Sequence, residues 1–348
     1  MRAFSIFLGL LVLLGLPVAD AADSGARSGP ALALPPADAR HFVIQSSAGK
    51  HGDSWYWEDR EGHRGGRESM NLRGQVWEVD MQGTQGADGI PTSLVIHGVS
   101  PQGDASESFA IEHGTARWRS PIDQGQAEYV GKAFYVSQGG PIASTIWLLE
   151  RLLASPDRRL GALPGGLLSA EELDTLEVGG GSVPKQTVHL WSVSGLNAAP
   201  VPVWADKAGH FFALTAVLGW LPEAYAGEQQ RLEAAQAGAM ARQTGEIAHR
   251  FLAGEAPPLA FIDVQIFDAE GLRFTPHQTV VVEKGRISAV GPVANVTVPG
   301  TARRIAGRGM TLLPGLWDCH MHVADDYTGV QELSLGVTSV RDPGNNDA

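Results

Sequence analysis

The residues best suited to chemistry are gathered in one short run, Asp318-Cys319-His320-Met321-His322. Histidines two residues apart on a strand project both imidazoles from one face, while Cys319 and Met321 project from the other. That is the geometry for chelating one metal ion. Zinc suits the pair, because neutral imidazole nitrogen binds it at about 2.0–2.1 Å and a catalytic ion keeps one position open for water. Asp318 shares the inward face one pleat back, where it can either ligate the ion or steady an imidazole through a hydrogen bond. Cys319, on the far face, is expected as a buried small hydrophobe. A His-x-His pair alone is not specific, since such pairs also occur on exposed strands.

The elements that must hold these residues begin after Pro258. Phe261 to Phe267 alternates, Thr279 to Glu283 is β-branched, Lys284-Gly285 supplies a turn and Arg286 to Val290 returns as the second strand of a hairpin. Met310 to Leu313 predicts a further strand, which leads through Pro314-Gly315 into a strand over Leu316 to Val323 that carries the histidines.

Taken in order, several pieces form a pattern: Phe261-Ile262-Asp263-Val264 with Phe267-Asp268, then Val280-Val281-Val282-Glu283-Lys284-Gly285-Arg286-Ile287, then Leu312-Leu313-Pro314-Gly315-Leu316-Trp317-Asp318-Cys319-His320-Met321-His322. Downstream, Leu335-Gly336-Val337-Thr338-Ser339-Val340-Arg341-Asp342 completes it. Together they resemble the amino-terminal portion of the amidohydrolase superfamily, which includes imidazolonepropionase-like, dihydroorotase-like and prolidase-like enzymes. The resemblance implies half of a small β-sandwich over residues 257–313 and the start of a metal-bearing (β/α)8 barrel over 314–348. It also implies that His320 and His322 bind zinc or another divalent ion, one or two in number, with Asp318 beside them. The reaction implied is hydrolysis of a carbon–nitrogen bond in a small amide, lactam or imide by metal-activated water. The physical chemistry agrees, since a bound metal lowers the pKa of water towards ~7 and barrel active sites lie at the carboxyl ends of the strands.

In a chain of 348 residues only 26 follow His322, whereas a complete barrel takes about 250. The further ligands that the resemblance implies, a lysine or glutamate, two more histidines and a proton-shuttling aspartate, have no positions onto which to map. The expectation is therefore the front portion of a longer hydrolase, catalytically inert by itself. The alternative, from a different functional class, is a secreted β-rich binding module fused to a non-functional amidohydrolase remnant.

Upstream, Arg2, the apolar run Phe4 to Leu16 and the small-residue pattern Ala19-Asp20-Ala21 read as a secretory signal over residues 1–21, cleaved after Ala21. The run is shorter than the ~20 residues that span a bilayer, so no integral anchor is expected and the mature chain is placed in the periplasm or outside the cell. Residues 22–37 are rich in Ala, Gly, Ser and Pro and read as a flexible lead-in. Residues 38–222 alternate short apolar runs with Gly, Pro, Asp and Asn clusters, the pattern of a mainly-β accessory domain, interrupted by a helix near Ile142 to Ala154. A connector helix is expected within 223–256, where Met240, Thr244, Ile247 and Phe251 share a face and Pro257-Pro258 closes the run. The fold class is thus mixed β and α/β.

Composition narrows the function. Hydrophobic residues at 43% and charged residues at 18% supply sizeable cores. The net charge of -12 has the wrong sign for neutralising phosphates, which argues against a nucleic-acid partner. Cys319 is the sole cysteine, so no intrachain disulfide forms. Eight of the nine tryptophans, Trp55, Trp57, Trp77, Trp118 and Trp191 among them, precede the amidohydrolase-like part. They suit core packing better than a sugar platform. His41, His51, His63, His97 and His113 show no ligand spacing. Gly179-Gly180-Gly181-Ser182 lacks the lysine of a phosphate loop and reads as a turn. Glu171-Glu172 reads as a solvated helix start, and Asp325-Asp326 as a loop.

Overall fold

The computed structural model describes residues 31–129, 131–197, 199–216, 218–252, 257–323 and 327–343. The expected signal segment, most of the lead-in, Asp325-Asp326 and the last five residues lie outside them. Strands make up 52% of the structure. The chain divides into two compact units, Met1–Met240 and Ala241–Ala348.

The first unit is built on one 16-stranded sheet. From Arg40–Ser46 the strands meander antiparallel through Gly49–Glu58, Arg64–Leu72, Gln75–Gln85, Pro91–Ser100, Glu107–Glu112 and Thr115–Arg119 to Gln124–Glu128. The other edge of Arg40–Ser46 pairs with Gly219–Pro222, and the sheet continues through Phe211–Thr215, Val201–Asp206, Val183–Ser194 and Leu167–Gly180 to Arg159–Leu163 and Ala133–Tyr135. The last pair is parallel because helix α1 (Ile142–Leu153) crosses between its strands.

Helix α1, expected from the sequence almost to the residue, supplies the centre of the core. Ile146, Trp147, Leu148, Leu149 and Leu152 pack in one buried cluster with Phe42, Ile44, Met81, Ile96 and Phe109. Close approach is possible because Gly83 has no side chain: a Cβ there would stand 2.7 Å from the Trp147 ring. Pro141, the cap residue, offers no side-chain acceptor to the start of α1. The buried carboxylate of Glu68 takes that place, accepting from the Ile142 N–H at 3.1 Å and from Trp220 Nε1 at 3.2 Å. Buried Glu107 accepts from Tyr135 Oη at 2.7 Å and from the N–H groups of Gln138 and Gly139. Desolvation raises the pKa of both carboxyls, most of all because so little water reaches them.

A second cluster, including Val188, Leu190, Trp204 and Phe212, is covered by Leu232 and Ala239 of helix α2 (Gln229–Leu252). A 3-10 turn, Glu223–Glu228, precedes α2, and the boundary between the units falls within this helix. Gly179 to Gly181 form a left-handed turn between Leu167–Gly180 and Val183–Ser194, as expected. Glu171-Glu172 differ from expectation. They lie in a strand, paired with Ser192 and Trp191, because the long hairpin partner outweighs the helix-start signal of two adjacent acids. Within the lead-in, Ala33 N–H donates to buried Asp80 at 2.6 Å.

In the second unit Arg286–Pro292, Arg273–Glu283, Leu259–Asp268 and Arg303–Ala306 form a sheet in that order, and Thr311–Leu312 also pairs with Leu259–Asp268. The hairpin turn is Lys284-Gly285, both with positive φ, which matches the right-handed twist of the strands it joins. A separate parallel pair, Leu316–Asp318 with Val337–Val340, is connected through helix α3 (Thr328–Ser334). Among the described residues no helix is long and apolar enough to cross a membrane.

Candidate metal site

The histidine run begins where the strand Leu316–Asp318 ends, three residues into the expected eight. The cause is Asp318, whose Oδ1 accepts the N–H of His320 at 2.9 Å and turns the backbone out of extended geometry. His320 and His322 therefore follow the strand rather than sit on it, and Asp318 engages backbone rather than an imidazole. The turn also reverses the expectation for Cys319, which is exposed instead of buried, because strand alternation no longer governs where it points.

The end of the neighbouring strand ties the run down. Arg341 N–H donates to Asp318 O at 2.8 Å, and Met321 N–H donates to Arg341 O at 3.1 Å. Asp342 Oδ1 lies 3.3 Å from His322 Nδ1, and its Oδ2 accepts the Val323 N–H at 3.0 Å. Gly315 lets the two strands approach, since a Cβ there would meet Thr338 Oγ1 at 2.0 Å. The carboxylate that reaches an imidazole is thus that of Asp342. The spacing of residues 318–322 carries no sign of this contact, and the only clue in the sequence is an acid at the end of the following strand.

The rings of His320 and His322 stand 5.5 Å apart between centroids and are nearly perpendicular, at 88°. Two imidazoles meeting one ion through nitrogens at about 2.0–2.1 Å have centroids roughly 5–6 Å apart, a range that includes this separation. Two such rings would offer two of the four donors of a tetrahedral set. Among the described residues, three candidate donor atoms lie within 4.8 Å of one another at one place, Asp59, Glu61 and His63, all exposed. There Asp59 Oδ1 accepts the N–H groups of Glu61 and His63, and its Oδ2 lies 2.8 Å from His63 Nδ1. These bonds, the one from the His63 backbone first, hold the Asp59 carboxyl below the usual carboxylate range. The cluster is accounted for as the closure of a hairpin turn. Its signal in the sequence is an Asp-x-Glu-x-His spacing rather than a pair of histidines.

Of the histidines upstream, His51 meets Ser46 at 2.8 Å and His97 meets Asp80 at 3.1 Å, while His41 lies 2.6 Å from Asp53 and 3.8 Å from Glu223 and stacks on Trp55. Trp147, Trp204 and Trp220 are core residues, whereas Trp55, Trp57, Trp77, Trp118 and Trp191 are half-buried.

No family model matches the chain. A stretch of 71 residues is 32% identical to an imidazolonepropionase from Vibrio cholerae, covering 20% of this chain and 17% of that protein. Another imidazolonepropionase, from Ectopseudomonas mendocina, is 40% identical over 68 residues, covering 19% and 16%. An allantoinase from Solibacter usitatus is 49% identical over 43 residues, covering 12% and 8%. The chain spans about a sixth of the length of these imidazolonepropionases. Among solved structures, a prolidase complexed with N-methylphosphonate-L-proline is 29% identical with a TM-score of 0.22, covering 26% of each chain. Molinate hydrolase is 27% identical with a TM-score of 0.22, covering 26% of this chain and 24% of its own. Scores this low carry no argument about the fold.

Proposed function

From the premise that part of the chain is related to the amidohydrolase superfamily, we propose that these residues belong to an exported, metal-dependent hydrolase that cleaves a carbon–nitrogen bond in a small amide, lactam or imide. The observation that carries the reading is the perpendicular His320–His322 pair, 5.5 Å apart at the end of a parallel strand. Zinc or another divalent ion, one or two in number, supplies water of lowered pKa as the nucleophile when bound. His320 and His322 would hold it through one ring nitrogen each. Asp342 accepts a hydrogen bond from Nδ1–H of His322, which selects the tautomer with the Nε2 lone pair free to ligate. The Val323 N–H on the other carboxylate oxygen keeps Asp342 from rotating away.

In this reading residues 257–313 are half of a β-sandwich, and 314–348 open a (β/α)8 barrel whose later strands supply the remaining ligands. Activity belongs to the whole polypeptide, with residues 38–222 as an accessory domain joined through a connector helix over 223–256. Residues 1–21 direct export and are removed after Ala21.

The test begins with the native gene product. Its intact mass should lie well above 36.9 kDa, with Ala22 as the mature amino terminus. In that full polypeptide, His320→Ala and His322→Ala should each lower bound metal per mole and hydrolysis of cyclic amides together. Unchanged metal content and rate in His322→Ala would refute the ligand assignment.

A further inference from the structure

The first unit holds a second concave site, well away in sequence from the histidine run. A cavity of about 310 Å³ is lined by Arg40, Tyr56, Trp57, Arg64 and Glu150 together with Asp38, Glu58 and His210. Its size falls at the lower end of small-molecule pockets, about 300–1,000 Å³.

The walls are held rigidly. Arg40 donates to Glu150 Oε1 and to Phe211 O, both at 2.5 Å. Arg64 donates to Tyr56 Oη at 2.5 Å and pairs with Glu58 at 2.9 Å. Both guanidiniums lie over the Tyr56 ring, 5.6 and 5.8 Å from its centroid. Trp57 is set across Gly65 of the neighbouring strand, where a Cβ would stand 2.1 Å from the indole. Two hairpins of the same make flank the site, Asp59-Arg60-Glu61-Gly62-His63 and Asp206-Lys207-Ala208-Gly209-His210. In each, the aspartate Oδ1 accepts the N–H groups two and four residues on, Oδ2 faces the histidine Nδ1, and the glycine has φ near +80° to +90° (81° and 86°). Nδ1 of His210 is thereby engaged and Nε2 is left for another partner.

Charge decides what fits. Two guanidiniums face three carboxylates, so an anion meets no net positive field. Each guanidinium also stands close to where an ammonium ion would have to bind. What remains is unspent hydrogen-bonding capacity of both kinds beside an aromatic wall: Nη2 of Arg64, further N–H groups of Arg40, the Tyr56 hydroxyl proton, and the Asp38 carboxylate, which takes no hydrogen bond among the described residues. Mixed donors and acceptors around an indole match a neutral molecule with many hydroxyls and one apolar face. We propose that this cavity binds a single sugar ring, which makes the first unit a carbohydrate-binding module independent of any hydrolytic site.

The test is titration of the whole chain with glucose, galactose and N-acetylglucosamine, followed by calorimetry and tryptophan fluorescence, with methylammonium and acetate as charged probes. The expected result is saturable binding of at least one sugar. Asp38→Asn and Trp57→Ala should each weaken it roughly tenfold, the scale of one charge-assisted bond or one ring face. Asp38 is exposed and takes no hydrogen bond among the described residues, so its variant keeps the test valid if Trp57→Ala fails to fold. The proposal is overturned if no sugar saturates up to tens of millimolar, if Asp38→Asn binds as well as the parent, or if only the ammonium or the carboxylate binds.

Discussion

Replacing Glu68 tests how the first unit is held together. Its buried carboxylate is the acceptor for Ile142 N–H at 3.1 Å and Trp220 Nε1–H at 3.2 Å, and it thereby joins the start of α1 to two strands distant in sequence. Glu68→Ala strands both donors without water, and each unmet buried donor costs about 1–3 kcal/mol. The sum, roughly 2–6 kcal/mol, is offset in part because the variant no longer desolvates a carboxylate, so a net loss of about 2–4 kcal/mol is expected. That is a large share of a typical stability of about 5–15 kcal/mol. Glu68→Gln keeps an acceptor oxygen without the charge and should stay within about 1 kcal/mol of the parent at neutral pH. The pH dependence separates the two contributions. Burial raises the folded-state pKa of Glu68 above its unfolded value, so in the window between them the folded chain binds more protons than the unfolded chain. Stability therefore falls as pH rises through that window and is regained as pH falls towards the unfolded value. Urea unfolding followed by tryptophan fluorescence at neutral pH and near pH 5 reads both effects. Glu68→Gln should show a smaller gain on acidification than the parent, the remainder coming from Glu107, whose shift has the same sign. Parent-like stability in Glu68→Ala, or an undiminished pH gain in Glu68→Gln, would refute the reasoning.

Two further outcomes are expected. In the full polypeptide Asp342→Asn should weaken metal binding about 10–100-fold without removing a ligand, because it disturbs the tautomer and orientation of His322; equilibrium titration with a competing chelator measures this. The exposed Cys319 thiol should react with a thiol reagent in the native chain as fast as in urea, and strong native-state protection would mean that the strand continues past Asp318 after all.

Patterns that depend on neighbours in sequence were legible from the residues alone. Helix α1 follows from an apolar run that begins after Pro141, and the hairpin at Lys284-Gly285 follows from β-branched strands flanking a pair able to adopt positive φ. The pairing of His320 with His322 was also legible, because two residues so close cannot be far apart in space. The end of their strand was not. It is decided by one hydrogen bond from the His320 N–H to Asp318 Oδ1, and an aspartate in a strand-like context accepts that bond without announcing it. Glu171-Glu172 failed as a helix start for a related reason: pairing with Val183–Ser194 overrides a weak local preference.

The sequence by itself determined which residue types meet at the histidine run, the mostly-β character of the chain and the kinship of part of it, since these rest on local order and spacing. Only the tertiary structure decided that Asp342 rather than Asp318 reaches an imidazole, that Cys319 faces solvent, that Glu68 holds the start of α1 and that Glu107 holds the segment just before it. It alone brought Asp38, Trp57, Arg64 and His210 to one cavity. Each of those outcomes joins residues through space by hydrogen bonds and packing, and the register and closure of a long antiparallel sheet set which residues meet.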